Sequence, residues 1–265
     1  MNLLQIAESI NRLGDFCGMR DIPELTPAAL YEKYGFLQAD VLVLFGGSIL
    51  CGGDVLASAM KAGVAKKYGI VGGVGHTTKT LRENMRAQLS ANLPAELSEA
   101  EMFALYLKEK YSLQPDFLEC RSTNCGNNIT FLLELLHQKQ IPVPRMILVQ
   151  DATMQRRMDA GLRKYAADGL TIVNYAAYRT RVCVKNEKLV FDNPPKGMWD
   201  VGRYASLLMG EIRRLSDDQD GYGPNGAGFI AHVDVPKKVQ TAFSTLQKED
   251  VGTVRPADDQ FATKR

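Results

Sequence analysis

The sequence has neither a strong excess of one charge nor a long apolar run. Its 265 residues include 32 Lys or Arg and 30 Asp or Glu, which leaves a formal net charge of +2. This balance does not favour a nucleic-acid or membrane-surface partner. Residues 1–20 form an amphipathic stretch interrupted by charges, which is unlike a signal peptide or a membrane span. We therefore expect a soluble, cytoplasmic protein.

Cysteine and histidine are too few and too scattered to indicate a disulfide framework or a metal site. The five cysteines are an odd number, which fits a reducing compartment. Cys120 and Cys125 have no second cysteine pair that would complete a zinc site. The acidic segment 217–224 fails the spacing of a calcium-binding EF-hand loop. We expect no bound metal.

What the sequence does contain is an alternation of short apolar segments and helical stretches. We predict five strands, of which the third in chain order is the weakest: residues 41–45, 70–74, 117–120, 146–149 and 170–173. The predicted helices between them cover residues 55–68, 79–88, 98–111, 129–139 and 153–167. Such alternation predicts an α/β fold, a Rossmann-like doubly wound parallel sheet. It leaves the strand order open.

Both ends of the chain depart from this alternation. Residues 1–37 read as helices joined by a proline-containing turn, and helices are predicted near 200–215 and 236–248. We predict a Rossmann-like nucleotide-binding domain over residues 38–192. A smaller, mostly helical domain is built from residues 1–37 and 193–265, with a fraying tail after Asp250.

Ligands of open parallel sheets bind beyond the carboxyl ends of the strands, so the residues that follow each strand are the site candidates. After the first strand stand Gly46, Gly47 and Ser48, and after the second a glycine-rich loop. Glycines let a backbone approach a ligand and offer N–H donors. The second loop contributes these candidates: Gly72, Gly73, Gly75, His76 and Thr77.

The third strand is followed by a polar segment at the start of a helix. Its candidates are Ser122, Thr123, Asn124 and Asn128, with Ser122 or Thr123 as the expected helix cap. The first turn of this helix has no carboxylate, so its partial positive charge suits an anion. Arg121 lies next to it.

The fourth strand leads into Gln150 and Asp151, with Asp151 or Thr153 as the expected cap of the next helix. Gln155 and Arg156 fall in the first turns of that helix, and the sequence does not decide whether Arg156 or Arg157 faces the ligand. From the helical domain, Tyr222 is a further ligand candidate. Tight turns, helix caps and solvated basic faces are the structural alternatives for all four loops.

Four motifs resemble the SanA/ElyC/YdcF-like family of bacterial α/β proteins. They are Gly-Gly-Val-Gly-His at 72–76, Ser-Thr-Asn-Cys-Gly at 122–126, Val-Gln-Asp-Ala-Thr-Met-Gln-Arg-Arg at 149–157, and Asp-Gly-Tyr-Gly-Pro at 220–224. The resemblance covers about residues 39–236. It implies a Rossmann-like domain with a helical domain from both chain ends, and binding of S-adenosylmethionine as described for a YdcF protein.

The chain also departs from that family. Asn127 stands where the family tends to have Glu, and Gly47-Ser48 where a glycine followed by Asn is usual. Some members have a membrane anchor and a role in the cell envelope, and this sequence shows no such anchor. These departures leave it open whether the protein is an enzyme.

Three functions follow as hypotheses. The first is a nucleotide-type ligand-binding protein for S-adenosylmethionine or a related adenosyl compound, with its carboxylate at residues 122–128 and its adenine and ribose on the glycine loops. Here His76 and Asp151 are the catalytic candidates. The second is an enzyme for phosphate esters or phosphorylated envelope precursors, and the third is a non-catalytic partner-binding protein. The oligomeric state and any acceptor substrate stay open.

Overall fold

The computed structural model describes residues 2–75, 77–89 and 93–252. Two expectations fall outside these residues, namely a ligand contact by His76 and most of the fraying tail. Within the described residues the chain forms nine helices. They are α1 (Leu3–Cys17), α2 (Pro27–Tyr34), α3 (Cys51–Ala62), α4 (Thr78–Arg86), α5 (Glu99–Tyr111), α6 (Cys125–Gln138), α7 (Gln155–Tyr165), α8 (Val201–Leu215) and α9 (Lys237–Lys248).

Seven strands are present in the same part of the chain. They are β1 (Ala39–Phe45), β2 (Ala65–Val71), β3 (Phe117–Glu119), β4 (Arg145–Gln150), β5 (Thr171–Ala176), β6 (Arg181–Lys185) and β7 (Lys188–Asp192). The first five build one parallel sheet in the order β3-β2-β1-β4-β5. This confirms the predicted α/β class and its Rossmann-like parallel sheet.

Every residue of the central strand β1 is buried. Apolar side chains from both faces of β1 therefore lie in the core, as expected for a parallel strand covered by helices on both sides. The neighbouring strand β4 is buried at all positions after Arg145. The two strands pair in register, with Val41 opposite Met146 and Leu44 opposite Val149.

The second strand lies earlier in the chain than predicted. A helix was expected over residues 55–68, but α3 ends at Ala62 because Gly63 takes a left-handed conformation, with φ of +68°. The strand then runs through Ala65–Val71, and residues 72–74 lie beyond it. The prediction of a strand at 70–74 was therefore wrong in its bounds. Lys66 and Lys67 follow the first residue of this strand and are exposed.

A hairpin that was not predicted from the sequence follows β5. Strands β6 and β7 pair antiparallel, and Asn186 and Glu187 connect them with φ of +49° and +56°. Positive φ at both loop residues is typical of a two-residue hairpin turn. Asn11 of α1 joins this hairpin to the N-terminal helix, since its side chain donates to Val182 O at 2.8 Å and accepts from Val182 N–H at 2.7 Å.

The described chain divides into two compact units. The first contains residues 2–19, 152–164 and 178–252, and the second contains residues 20–151 and 165–177. The five-stranded sheet lies in the second unit, together with α2 to α6. The first unit is mostly helical and includes both ends of the described chain, with α1, α8, α9, nearly all of α7 and the hairpin. The domain boundaries at residues 38 and 192 stay a prediction.

Each unit has its own core. In the first, α1 buries Ile6, Ile10 and Leu13 on one face, which is the amphipathic pattern expected from the sequence. In the second, the sheet and its helices bury the strand residues. Among the described helices, none combines the length and the apolar character that crossing a bilayer requires.

Candidate functional site

The strand order reverses between β1 and β4, and the region at the carboxyl ends of these two strands is called the crevice below. From β1 the chain continues to β2 on one side, whereas from β4 it continues to β5 on the other. Such a reversal between adjacent parallel strands is where open α/β sheets bind ligands. A Cβ placed on Gly47 would lie 3.7 Å from Gln150 Oε1 and 3.9 Å from Asp151 Cβ. The loops after the two strands therefore meet at this crevice.

The loop after β1 contains two glycines with different surroundings. Gly46 is buried, its N–H donates to Val71 O at 2.7 Å, and a Cβ on it would overlap the Glu99 side chain. Gly47 is half-buried, and a Cβ there would make only ordinary van der Waals contacts. Gly46 thus permits close packing, whereas Gly47 lines the crevice.

Ser48 completes this loop with a buried hydroxyl. Its carbonyl oxygen accepts a hydrogen bond from Asn84 Nδ2 at 2.8 Å, which ties the loop to α4. The residue is 2 % exposed, and among the described residues its Oγ has no hydrogen-bond partner. A buried hydroxyl without a partner costs free energy, so a group that bonds to it would be stabilised.

The glycine loop after β2 uses its N–H groups within the protein. Gly72 N–H donates to Glu119 O at 2.9 Å, Gly73 N–H to Ser122 Oγ at 3.1 Å, and Gly75 N–H to Thr78 Oγ1 at 2.7 Å. A Cβ on Gly73 would overlap the backbone of Ser122. These glycines therefore allow two loops to pack closely, and their N–H groups are not bare donors for a ligand.

Glu99, at the first turn of α5, is a buried carboxylate that the sequence reading did not single out. Its N–H donates to Gly73 O at 2.9 Å, and its Oε1 accepts from Thr77 Oγ1 at 3.0 Å and Thr78 Oγ1 at 2.8 Å. Burial raises the pKa of this carboxyl above its ordinary value. Glu99 was not among the predicted site residues, because those were the residues that follow predicted strands and Glu99 does not follow a strand. Its one sequence signal is the capping box of Ser98 and Glu101.

A second buried carboxylate, Glu119, ends β3. Its Oε1 accepts from Arg121 N–H at 2.7 Å and from Ser122 N–H at 3.1 Å, while its Oε2 is buried without a partner among the described residues. Ser122 is therefore part of a turn around Glu119 and is not the cap of α6. The place of Glu119 near the end of the strand predicted at 117–120 was its sequence signal.

The helix that follows is capped by Asn124. Asn124 Oδ1 accepts from Asn127 N–H at 2.9 Å, so the expectation of a Ser122 or Thr123 cap was wrong. Thr123 Oγ1 and Asn124 Nδ2 both donate to Asn127 Oδ1, at 3.3 and 2.9 Å. The first turn has no acidic residue, as expected, and it includes Asn128. Arg121 is exposed and forms an ion pair with Glu134 at 3.2 Å.

Gln150, the last residue of β4, and Asp151, which follows it, are both buried. Asp151 N–H donates to Gln150 Oε1 at 2.6 Å, which fixes the amide beside Gly47. Cys51, at the start of α3, lies close enough to Asp151 for this carboxylate to affect the pKa of its thiol. Burial and the charges of Asp151 and Asp54 raise the pKa of the Cys51 thiol to about 12. A raised pKa disfavours the thiolate, which is the nucleophilic form of a cysteine.

The remaining candidates, Gln155, Arg156 and Tyr222, belong to the first unit. Gln155 is buried at the start of α7. Tyr222 packs edge-to-face on Phe229, with ring centroids 5.2 Å apart.

The two adjacent arginines, Arg156 and Arg157, have different partners. Arg156 lies over the Phe16 ring at 4.0 Å and lines a cavity of the first unit. Arg157 forms a bidentate ion pair with Glu211, at 2.5 and 2.9 Å.

The site therefore consists of one crevice and a supporting layer in the second unit. Gly47, Ser48, Gln150 and Asp151 form the crevice, and Glu99 and Glu119 belong to the packed loops beside it. Among the described residues, no group of three or more His, Cys, Asp or Glu is arranged to hold a metal ion. No protein-family model matches the chain.

Proposed function

We propose that the second unit binds a nucleotide-type small molecule in the crevice between the loops after β1 and β4. The observation that carries this proposal is that a Cβ placed on Gly47 would lie 3.7 Å from Gln150 Oε1 and 3.9 Å from Asp151 Cβ, at the point where the strand order reverses. This is the position at which Rossmann-like sheets bind nucleotides. The candidate ligand is S-adenosylmethionine or a related adenosyl compound, and that choice depends on the family resemblance.

The start of α3 supports an anionic group in the ligand. The helix begins immediately after the crevice loop, and its N-cap residue Leu50 makes no side-chain capping bond. The one acid of its first turn, Asp54, accepts hydrogen bonds from Tyr106, Tyr111 and Lys110 on α5, at 2.7, 2.5 and 2.9 Å. The partial positive charge of this helix end therefore favours a carboxylate or phosphate. This location replaces the start of α6, which Asn124 caps.

The polar groups of the crevice suit the rest of a nucleoside. The Asp151 carboxylate is suited to accepting from ribose hydroxyls, and the Ser48 hydroxyl and the Gln150 amide offer further hydrogen-bonding groups. Gly47 leaves room for the ligand to approach the backbone. The proposal is one of binding in the cytoplasm and assigns no reaction. A thiolate mechanism at Cys51 is disfavoured by its raised pKa.

Calorimetric titration tests the proposal with three ligands: S-adenosylmethionine, S-adenosylhomocysteine and ATP. We expect micromolar binding of the two sulfur compounds, about −8 kcal/mol, and weaker binding of ATP. Ser48→Ala should weaken binding about fivefold if the ligand bonds to this hydroxyl. The matched control is Ser58→Ala, which removes an exposed hydroxyl that donates to Asp54 O within α3, and it should bind as the wild type does.

Other results would replace the proposal. Tighter binding of ATP would favour an enzyme for phosphate esters, which is the second hypothesis. Absence of binding by all three ligands would favour a non-catalytic partner-binding role. Binding that Ser48→Ala and a bulky Gly47→Val leave unchanged would place the ligand outside the crevice.

A further inference from the structure

Strand β7 is an edge of the two-stranded sheet in the first unit. Within the described part of the chain, this sheet contains β6 and β7 and no third strand. An edge strand presents backbone N–H and C=O groups that can pair with a further strand. Whether β7 can do so depends on which of its residues direct these groups outward.

The contacts of Asn11 show which backbone groups point away from the hairpin. The Asn11 side chain bonds to both the N–H and the C=O of Val182, so these groups of β6 face away from β7. Val182 pairs with Phe191, and two opposite residues of an antiparallel pair either bond to each other or both point outward. The backbone groups of Phe191, and of Leu189 two residues before it, therefore face away from β6.

These outward groups are unused. Among the described residues, none forms a hydrogen bond with the outward N–H or C=O of Leu189 or Phe191. Both residues are half-buried, and the two end residues of the strand, Lys188 and Asp192, are exposed. Strand β7 therefore offers two donors and two acceptors to another strand.

The inner face of the hairpin is packed, which holds this edge in place. Phe191 packs edge-to-face on Tyr204 of α8, with ring centroids 5.3 Å apart. Val182, its neighbour on β6, is buried. A strand that is already ordered loses little conformational entropy when it pairs with another.

The sequence of β7, Lys-Leu-Val-Phe-Asp, is complementary to itself in the antiparallel orientation. When two copies pair about Val190, Leu189 lies opposite Phe191 of the second copy. Both are outward residues, so this register forms four backbone hydrogen bonds. It also places Lys188 opposite Asp192 of the second copy, and twofold symmetry repeats this charge pair.

The charges select this register. A lysine on an edge strand ordinarily discourages pairing, but here an aspartate four residues later lies opposite it. Lys188 makes no ion pair with the described residues, and Asp192 lies 3.7 Å from the exposed Lys185. A shift of the register by two residues would lose both charge pairs.

We propose that β7 pairs with β7 of a second copy of this chain, so that two hairpins form a four-stranded antiparallel sheet in a symmetric dimer. The contact is one short strand on each side, whereas stable interfaces bury about 1,200–2,000 Å². We therefore expect a weak dimer that depends on protein concentration. The dimer contact does not involve the crevice of the second unit.

Sedimentation velocity of the whole protein between about 5 and 500 µM tests this inference. Lys188→Asp and Asp192→Lys each place like charges opposite each other twice, and each should weaken dimerisation about tenfold. The double variant restores opposite charges and should dimerise within about twofold of the wild type. Lys237→Asp, at the exposed start of α9, changes the net charge as Lys188→Asp does and should dimerise as the wild type does.

Amide hydrogen exchange locates the contact. The N–H groups of Leu189 and Phe191 should exchange more slowly at high protein concentration than at low concentration. The N–H of Val184, which points outward from β6, serves as the control and should not change. The inference is overturned if the protein stays monomeric over this range, if dimerisation leaves exchange at Leu189 and Phe191 unchanged, or if the double variant dimerises no better than the single ones.

Discussion

Two adjacent glycines, Gly46 and Gly47, show how one residue can serve packing and the next a ligand. A Cβ on Gly46 would overlap the buried Glu99 side chain, whereas a Cβ on Gly47 would meet only van der Waals neighbours. The sequence predicted both as ligand contacts from their place after a strand. The difference between them depends on Glu99, which is distant in the sequence, so it could not be predicted.

Gly46→Ala should therefore destabilise the protein, and Gly47→Ala should be tolerated. We expect Gly46→Ala to lower the free energy of unfolding by about 1–3 kcal/mol, because the loop or Glu99 must move to make room. Urea denaturation with circular dichroism measures the effect. Equal unfolding midpoints for the two variants would contradict the packing described for this loop.

Glu99 should make stability depend on pH. Burial raises the pKa of its carboxyl in the folded state, so the folded protein binds this proton more tightly than the unfolded chain does. The associated stability is present below the ordinary pKa of a glutamic acid and is lost as pH rises through the raised folded pKa.

Glu99→Gln removes this titration, so the variant should lack the part of the stability loss that Glu99 causes as pH rises. The glutamine amide oxygen can still accept from Thr77 and Thr78. Unfolding free energies measured in urea between pH 4 and 8 compare the two proteins. If wild type and variant lose or gain stability in parallel over this range, Glu99 does not titrate as described.

At the scale of elements, the acidic segment after α8 is held by a histidine between two carboxylates. His232 Nδ1 lies 2.6 Å from Asp217 Oδ2, and its Nε2 lies 3.0 Å from Asp234 Oδ1. Asp217 also accepts from Asn225 N–H at 2.6 Å. Hydrogen bonds to both carboxylates raise the pKa of His232, and those from Asn225 and His232 lower that of Asp217.

This segment should loosen as pH rises. The pKa of His232 in the folded protein is raised above 6.5. Its contribution to stability is therefore complete below that value and is lost as pH rises through the folded pKa. Nuclear magnetic resonance of the imidazole protons should give a pKa above that of a free histidine. Asp217→Asn should lower it. An unshifted titration in wild type would contradict the contacts at both ring nitrogens.

Local sequence signals predict most of the helices and strands, and they also explain where the predictions were wrong. The amphipathic pattern predicted α1, and the capping box fits the start of α5. The predicted helix at 55–68 was too long, because Gly63 ends α3 and β2 begins at Ala65. The hairpin was missed because Asn186-Glu187 lacks the glycine that usually marks such a turn.

At the scale of the whole molecule, the strand order determines where the site lies. Alternation of strands and helices predicted the parallel sheet, but it could not place β1 beside β4, since order depends on contacts between distant segments. Once that order is known, Gly47, Ser48, Gln150 and Asp151 come together. Arg156 and Tyr222, predicted for the same site, lie in the other unit.

A crystal structure of the protein with S-adenosylhomocysteine tests the central claim most directly. The account predicts ligand density between the loops after β1 and β4, with its amino-acid carboxylate at the start of α3 and a hydrogen bond to Ser48 Oγ. Density elsewhere in the second unit, or only in the cavity beside Arg156, would contradict the claim that this crevice is the nucleotide-binding site.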